Sequence, residues 1–476
     1  MLIGFVGIYL VLSIGLGLYA ATRVHSVRDY VTAGRSLPIP IMIAMVFATW
    51  FGAETVLGIP GTFIDENLSG LISDPFGAAF CLIFFGLFFA RPLYRRNILT
   101  LGDFYRDRFN QPVEIAVGIA IALSYLGWVS AQVTALGLVF NVLSEGDVSM
   151  SMGIIIGAAV VLLYTLFGGM WSVAITTFVQ MIVIVAGLLW IAVLVSDLTD
   201  GMAPVVEHAA AAGKFTFWPS LDVVAVITFV AGFLTMGLGS IPQQDVFQRA
   251  NSAMNENVAV WGTILGGIAY FFFAAVPIYL AYSALLIDPV MSEQLMSDDP
   301  QLVLPNLILN HMPIYAQIIF FGALLSVIMS TASGTLLAPA VTLSENVIRP
   351  LLPRGRSLDD AQFLWLMRGT VVMFAILVTA YALWSQVQST SIHEMVENAY
   401  KVTLVMALVP LVAGIYWRRA NNTGAIASIV LGLLVWLPME FIAPDGALPP
   451  HFIGFFAAII GMLGGTLLSR KQAPKI

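Results

Sequence analysis

Apolar runs of about twenty residues recur from one end of this chain to the other, and each is long enough to cross the hydrocarbon core of a bilayer. Only 10% of the residues are charged, against about 25% in a soluble protein. The runs predict membrane spans near 2–22, 38–62, 70–90, 113–143, 150–168, 172–196, 223–242, 257–286, 313–345, 363–387, 396–416, 423–443 and 452–469. The expected fold class is therefore an all-α polytopic membrane protein of about thirteen transmembrane helices. The first run has no basic leader and no small-residue cleavage site, so it reads as a retained span. Cys81, the single cysteine, lies in an apolar run and leaves no internal disulfide.

Charge placement fixes the expected orientation. Eighteen of the twenty basic residues fall in alternate connectors, from Arg23, Arg28 and Arg35 to Arg470, Lys471 and Lys475; only Lys214 and Lys401 fall elsewhere. The opposite connectors hold acids such as Asp65, Glu66, Glu145, Asp288 and Asp299. The positive-inside rule then predicts an outside N-terminus and a cytoplasmic C-terminus in the cell membrane. The lipid bilayer is the expected environment, and no nucleic-acid partner is expected. The longest connectors, about 91–112, 197–222 and 287–312, have room for short surface helices at most, so residues 1–476 read as one transmembrane domain.

One span is built wrongly for simple insertion. FATWFGAETVLGIPG, residues 47–61, carries glycines at 52, 58 and 61, a proline at 60 and the ionisable Glu54. Backbone loosens at membrane depth only where protein or a wet cavity receives its polar groups, and a carboxylate there points to a binding or ion-pathway role. A second interruption, TMGLGSIPQQD at Thr235–Asp245, comes five spans later. Paired broken helices at matching positions are the sequence sign of an inverted-repeat transporter. Repeat one is expected over about 38–196 and repeat two over about 223–416, with the first span at 2–22 before them and two extra C-terminal spans over about 423–469.

The run SVIMSTASGTL, Ser326–Leu336, adds a candidate ion site. Helical geometry brings the Val327 carbonyl to the hydroxyls of Ser330 and Thr331, and hard cations take oxygen ligands. Carbonyls near Ala48 and Phe51, in the loosened helix, are candidates to complete the set. Membrane-buried Ser and Thr equally bond their own i−4 carbonyls or join helices, so this pattern alone leaves both readings open.

Six ordered stretches decide between them: DYVTAGRSLP at 29–38, ATWFGAE at 48–54, RNILTLGDFYRDRF at 96–109, YTLFGGMWSVAITTFVQ at 164–180, GSIPQQDVFQR at 239–249 and IMSTASGTLL at 328–337. In these the chain resembles the sodium:solute symporter family, which includes proline, sugar, pantothenate and choline carriers. The resemblance spans about residues 25–440. It implies a leucine-transporter-type core of five plus five inverted spans, from the 38–62 helix to the 396–416 helix. It also implies a sodium site made by the backbones of Ala48, Phe51 and Val327 and the hydroxyls of Ser330 and Thr331, with Na+ as coupling ion and no organic cofactor.

The departures from that pattern matter as much. Many relatives have Asp where this chain has Thr177, so a second sodium site of that construction is not expected, and one ion per cycle is the simpler expectation. Relatives also often have Asp where this chain has Ser333. Glu54 is an extra carboxylate, able to ligate an ion, pair with a cationic substrate or carry a proton. ATW with a following glycine-rich stretch, and a tryptophan at 128 in YLGWVSAQ, look most like the choline-carrier branch, whose aromatic faces cage a quaternary ammonium; the cation–π attraction of tryptophan supplies the physics. Choline carriers have another tryptophan where this chain has Gln243, so that cage is incomplete, and Gln243 and Gln244 offer amide groups to a more polar ligand.

The expected partner is thus a small organic solute, bound near Trp50, Glu54, Trp128 and Gln243 and imported with sodium. A quaternary-amine or choline-like cation leads; proline or another amino acid or organic acid, and a proton-coupled carrier using Glu54, are the alternatives. Paired histidines and carboxylates that would make an enzyme are not seen in the sequence. His25, His208, His311, His393 and His451 have no metal-ligand spacing. Lys401 is expected to pair with Glu397 at i,i+4 spacing near the outer mouth, Asp103, Arg106 and Arg108 to form an inner salt-bridge latch, and the Phe-rich run at 84–89 to pack or face lipid.

Overall fold

A computed structural model describes residues 2–353, 358–387, 392–444, 446 and 448–469. Among these the fold is all helical, with no strand and one isolated bridge between Leu37 and Ala253. The long elements are α1 (Leu2–Ala21), α2 (Ile39–Trp50), α3 (Glu54–Glu66), α4 (Leu68–Arg95), α5 (Gln111–Leu143), α6 (Met150–Leu198) and α7 (Val223–Gly237). After them come α8 (Gln244–Asn251), α9 (Glu256–Ile287), α10 (Ile314–Leu351), α11 (Asp360–Val387), α12 (Asn398–Tyr416), α13 (Asn422–Ile442) and α14 (Pro450–Leu468).

Among the described residues, ten helices are long and apolar enough to cross a membrane, and eleven if α2 and α3, bent by 56° at their junction, make one span. Helix starts are set by short polar side chains that satisfy otherwise unpaired backbone N–H groups. Asn110 caps α5, Ser149 α6, Asp222 α7, Asn255 α9 and Asn421 α13. The 49 residues of α6 would make a straight rod about 74 Å long, more than twice the hydrocarbon thickness of about 30 Å. Its helical geometry breaks at Gly169, where φ is 49° and ψ −138°. A Cβ at this position would lie 2.4 Å from the Tyr30 carbonyl oxygen, so only glycine fits.

The packing is inverted relative to a soluble protein. Ile8, Leu12, Phe272, Leu434 and Ile460 face outward, whereas Glu54, Asp74, Gln132, Thr177 and Arg249 are buried. Helix α10 runs through the middle, buried continuously from Ala323 to Thr342, and packs against α5, α6 and α11. The short α8 is buried along its whole length although it reads QDVFQRAN. α13 and α14 pack mainly on each other at the edge. The three long connectors hold short helices, Leu101–Arg108, Met202–Ala211, Pro289–Asp298 and Val303–His311.

Candidate functional site

The break between α2 and α3 leaves carbonyls that no helical N–H reaches. Phe51 departs from helix at φ −72°, ψ 76°, Gly52 N–H turns back to the Trp50 carbonyl at 2.7 Å, and Ala53 N–H is taken by the Gln132 side chain at 2.9 Å. A Cβ at Gly52 would stand 2.6 Å from the Glu54 carboxylate, so a larger residue here would push that side chain aside. Beyond the turn, Ile59 N–H bonds the Glu54 carbonyl, an i→i+5 bond of the kind that often marks functional sites.

The exposed carbonyls face α10. The Thr331 hydroxyl lies 3.1 Å from the Ala48 oxygen and 3.2 Å from that of Phe51. One residue earlier, the Ser330 hydroxyl lies 2.9 Å from the Val327 oxygen. All five residues are fully buried. The structure thus sets the Thr331 hydroxyl against the two carbonyls of the break and, separately, the Ser330 hydroxyl against the Val327 carbonyl on the same stretch of α10. The hydroxyls now donate to carbonyls; turned the other way, they would offer lone pairs to a hard cation. Thr177 is buried with its hydroxyl unpartnered, and the Ser333 hydroxyl bonds the Ser330 carbonyl at 3.1 Å.

On the other side of the break lies an aromatic cluster. The Trp50 and Trp128 rings stack with centroids 4.8 Å apart, and Tyr400 meets both edge-on, at 5.3 Å and 5.6 Å. Tyr125 stacks on Trp128 from the far side at 5.7 Å. Both indole N–H groups and the Tyr400 hydroxyl are buried without a partner. The Glu54 carboxylate, fully buried, accepts from the Gln132 amide at 2.6 Å through one oxygen, while its other oxygen has no partner. On α5, Ser124, Trp128 and Gln132 stand four residues apart and so share one face, and they meet Gln243, Trp50 and Glu54 in turn.

Gln243 is held between the hydroxyls of Ser124 at 2.9 Å and Thr403 at 3.3 Å, and Gln244 accepts from Leu101 N–H at 2.8 Å. Of the two amides, then, Gln244 ties α8 to the inner connector. Gln132, Tyr400, Thr55, Tyr270 and Asp74 were not singled out from the sequence. Spacing of four from Trp128 points to Gln132, and Asp74 is an ionisable residue inside an apolar run, the very sign that drew attention to Glu54.

Around α8 and the Leu101–Arg108 helix, charges come in pairs. Asp245 accepts from the Tyr125 hydroxyl at 2.5 Å and lies 3.3 Å from Arg249, with both charged side chains buried. Arg106 reaches Asp103 at 3.1 Å and Glu114 at 3.3 Å, and Asn346 bridges the same two acids. Burial alone would lower the Arg106 pKa, but Asp103, Glu114, Asp107 and Glu345 together push it above its usual value. Arg108 instead caps the end of α12, donating to the carbonyls of Gly414 and Trp417. The Lys401 ammonium lies 3.4 Å from Glu440, whose other oxygen accepts from the Trp436 indole at 2.9 Å. The expected Lys401 partner, Glu397, has its side chain outside the described residues, as does His393.

The sodium:solute symporter family profile matches residues 30–432. The human high affinity choline transporter 1 is 25% identical over 455 residues, covering 91% of this chain and 76% of that protein. The osmoregulated proline transporter OpuE of Bacillus subtilis (strain 168) is 24% identical over 498 residues, covering 95% of this chain and 93% of its own. Among solved structures, the substrate-bound, outward-open state of a Na+-coupled sialic acid symporter superposes with a TM-score of 0.81 at 18% identity, over 99% of both chains. That likeness gives the fold: a leucine-transporter-type bundle.

Proposed function

Since this chain belongs to the sodium:solute symporter family, we propose that it imports a small organic cation, of the quaternary-amine or choline-like kind, driven by sodium at the α2–α10 junction. The observation that carries this reading is the Thr331 hydroxyl set between the Ala48 and Phe51 carbonyls. Sodium held by Ala48, Phe51, Val327, Ser330 and Thr331 would tie the broken helix to α10 and favour one arrangement of the break over another. Coupling needs no chemical step, only a difference in affinity between two conformations, and no catalytic role is assigned to any residue.

The preference for a cation rests on Glu54 and the rings around it. No arginine or lysine pairs with Glu54 among the described residues. A solute bearing positive charge would supply the missing counter-charge and lie over the faces of Trp50, Trp128 and Tyr400. With the tryptophans stacked on each other at 4.8 Å, binding would replace a ring–ring contact by ring–cation contacts, shifting α2 against α5. Gln243, the residue before α8, orients the solute. The human choline transporter among the relatives agrees with this preference; the Bacillus proline transporter keeps an amino-acid solute as the second reading.

The same reading divides α6 at Gly169 into two spans and counts α7 with the segment after it as one. That makes thirteen spans in the cell membrane, with the N-terminus outside. The two repeats then occupy about 38–196 and 223–416.

The test is thermal stability of the purified protein in sodium chloride against potassium chloride, with choline, betaine, proline and pantothenate added in turn. Stabilisation by choline in sodium, lost in Trp50→Ala, is the expected result. Stabilisation by proline alone would move the assignment to an amino acid. No response to any cationic ligand would sink the aromatic-cage reading.

A further inference from the structure

A second acid is buried beside the break with no counter-charge. Asp74 sits where the start of α4 leaves helical geometry, at φ −140° and ψ 122°, and is 1% exposed. One carboxylate oxygen accepts from the Tyr270 hydroxyl; the other is buried with no partner. The Thr55 hydroxyl lies 3.4 Å from the Tyr270 oxygen and 2.8 Å from the Trp50 carbonyl oxygen. Three elements, the break, α4 and α9, therefore contribute a carboxylate, two hydroxyls and a carbonyl to one connected set of oxygens, with no nitrogen donor on Asp74. The Trp50 carbonyl turns toward this set while its neighbour, Phe51, turns toward Thr331.

A buried carboxylate without a cation is costly at membrane depth, and oxygen-only surroundings that include a carboxylate suit a hard cation. Access is at hand. Ile72 and Ser73, next to Asp74 in the chain, line a cavity of about 680 Å³ together with Glu66, Asn398 and Lys401.

We propose that Asp74, the hydroxyls of Thr55 and Tyr270 and the Trp50 carbonyl form a second site for a monovalent metal cation, distinct from the cluster around Thr331. The ion is sodium in the transport cycle, an identity that rests on the sodium-symport reading. This site differs in construction from one built on an acid at position 177, which this chain lacks. It would place an ion on each side of the break, so that both ions and the solute hold the same few residues.

Equilibrium binding of radiolabelled sodium to the purified full-length protein, with potassium chloride as balancing salt, tests it. The wild-type protein is expected to bind two sodium ions, Asp74→Asn one, Thr331→Ala one and the double variant none. Tyr270→Phe, which removes only a hydroxyl, should keep both ions but bind the second more weakly, and it guards against an Asp74 variant that fails to fold. If Asp74→Asn and Tyr270→Phe both bind sodium as the wild type does, the proposal is overturned; proton uptake lost in Asp74→Asn with sodium binding unchanged would name a proton as occupant and overturn it equally. If Asp74→Asn loses an ion while Thr331→Ala loses none, the second site stands and the α2–α10 site fails.

Discussion

Two regions of this protein treat buried acids in opposite ways. Around α8 and the Leu101–Arg108 helix, Asp103 and Glu114 share Arg106, Glu345 has Arg349 at 2.8 Å, and Asp245 has Arg249. Around the break, Glu54 and Asp74 are equally buried, and each has one oxygen with no partner and no basic side chain paired with it. This first region supplies its own counter-charges, although one Glu114 oxygen and two Arg249 nitrogens have no hydrogen-bond partner. The central region lacks positive charge, which a binding site for cations would receive with its ligands. Equal burial with unequal pairing is thus what separates scaffold from site.

The contrast breaks most sharply at Arg249. Replacing one member of a buried ion pair leaves the other charge stranded, at a cost of about 3–5 kcal/mol. Arg249→Met should accordingly lower thermal stability severely, and Asp245→Leu added to it should restore most of the loss. If Arg249→Met alone were neutral, the pair would not be structural.

Glu54 and Asp74 should behave the other way. In sodium-free buffer without solute, Glu54→Gln and Asp74→Asn remove a buried carboxyl group that has no basic partner and should leave stability unchanged or raise it by roughly 1–3 kcal/mol, the scale of an unsatisfied buried polar group. The same variants should lose the stabilisation that sodium and solute confer on the wild type. Melting curves with and without sodium measure both effects. A marked drop in ligand-free stability for either variant would mean that the acid is scaffold.

The smallest effect is expected outside the bilayer. Asp288 accepts from Met291 N–H at 3.0 Å and from His311 at 2.9 Å, and these two contacts, the backbone one first, hold its pKa below the usual carboxylate value. A depressed carboxylate stabilises above its ordinary pKa and loses that contribution as pH falls through its own. Acidification from neutral should thus cost the wild type slightly more stability than Asp288→Asn, most visibly below about pH 4. Parallel pH–stability curves for the two proteins would contradict the assignment.

Much of this was legible in the sequence because membrane depth makes anomalies conspicuous. Glycine, proline and Glu54 in an apolar run marked the break, and helical spacing alone put the Ser330 hydroxyl beside the Val327 carbonyl. Less was legible where the partner comes from a distant element. Nothing local says that Tyr400 on α12 meets Trp50, that Tyr270 on α9 donates to Asp74, or that Gln243 is held by Ser124 and Thr403. The expected inner latch is present, with Glu114 and Asn346 added to it and Arg108 turned instead to backbone carbonyls.

The central claim is that sodium at the junction of the broken helix and α10 drives solute uptake. Proteoliposomes holding the wild-type protein should accumulate radiolabelled choline under an inward sodium gradient and not under an equal potassium or proton gradient. The double variant Ser330→Ala, Thr331→Ala should lose that dependence. Accumulation by the wild type that is indifferent to sodium, or a double variant that keeps full sodium dependence, would contradict the account.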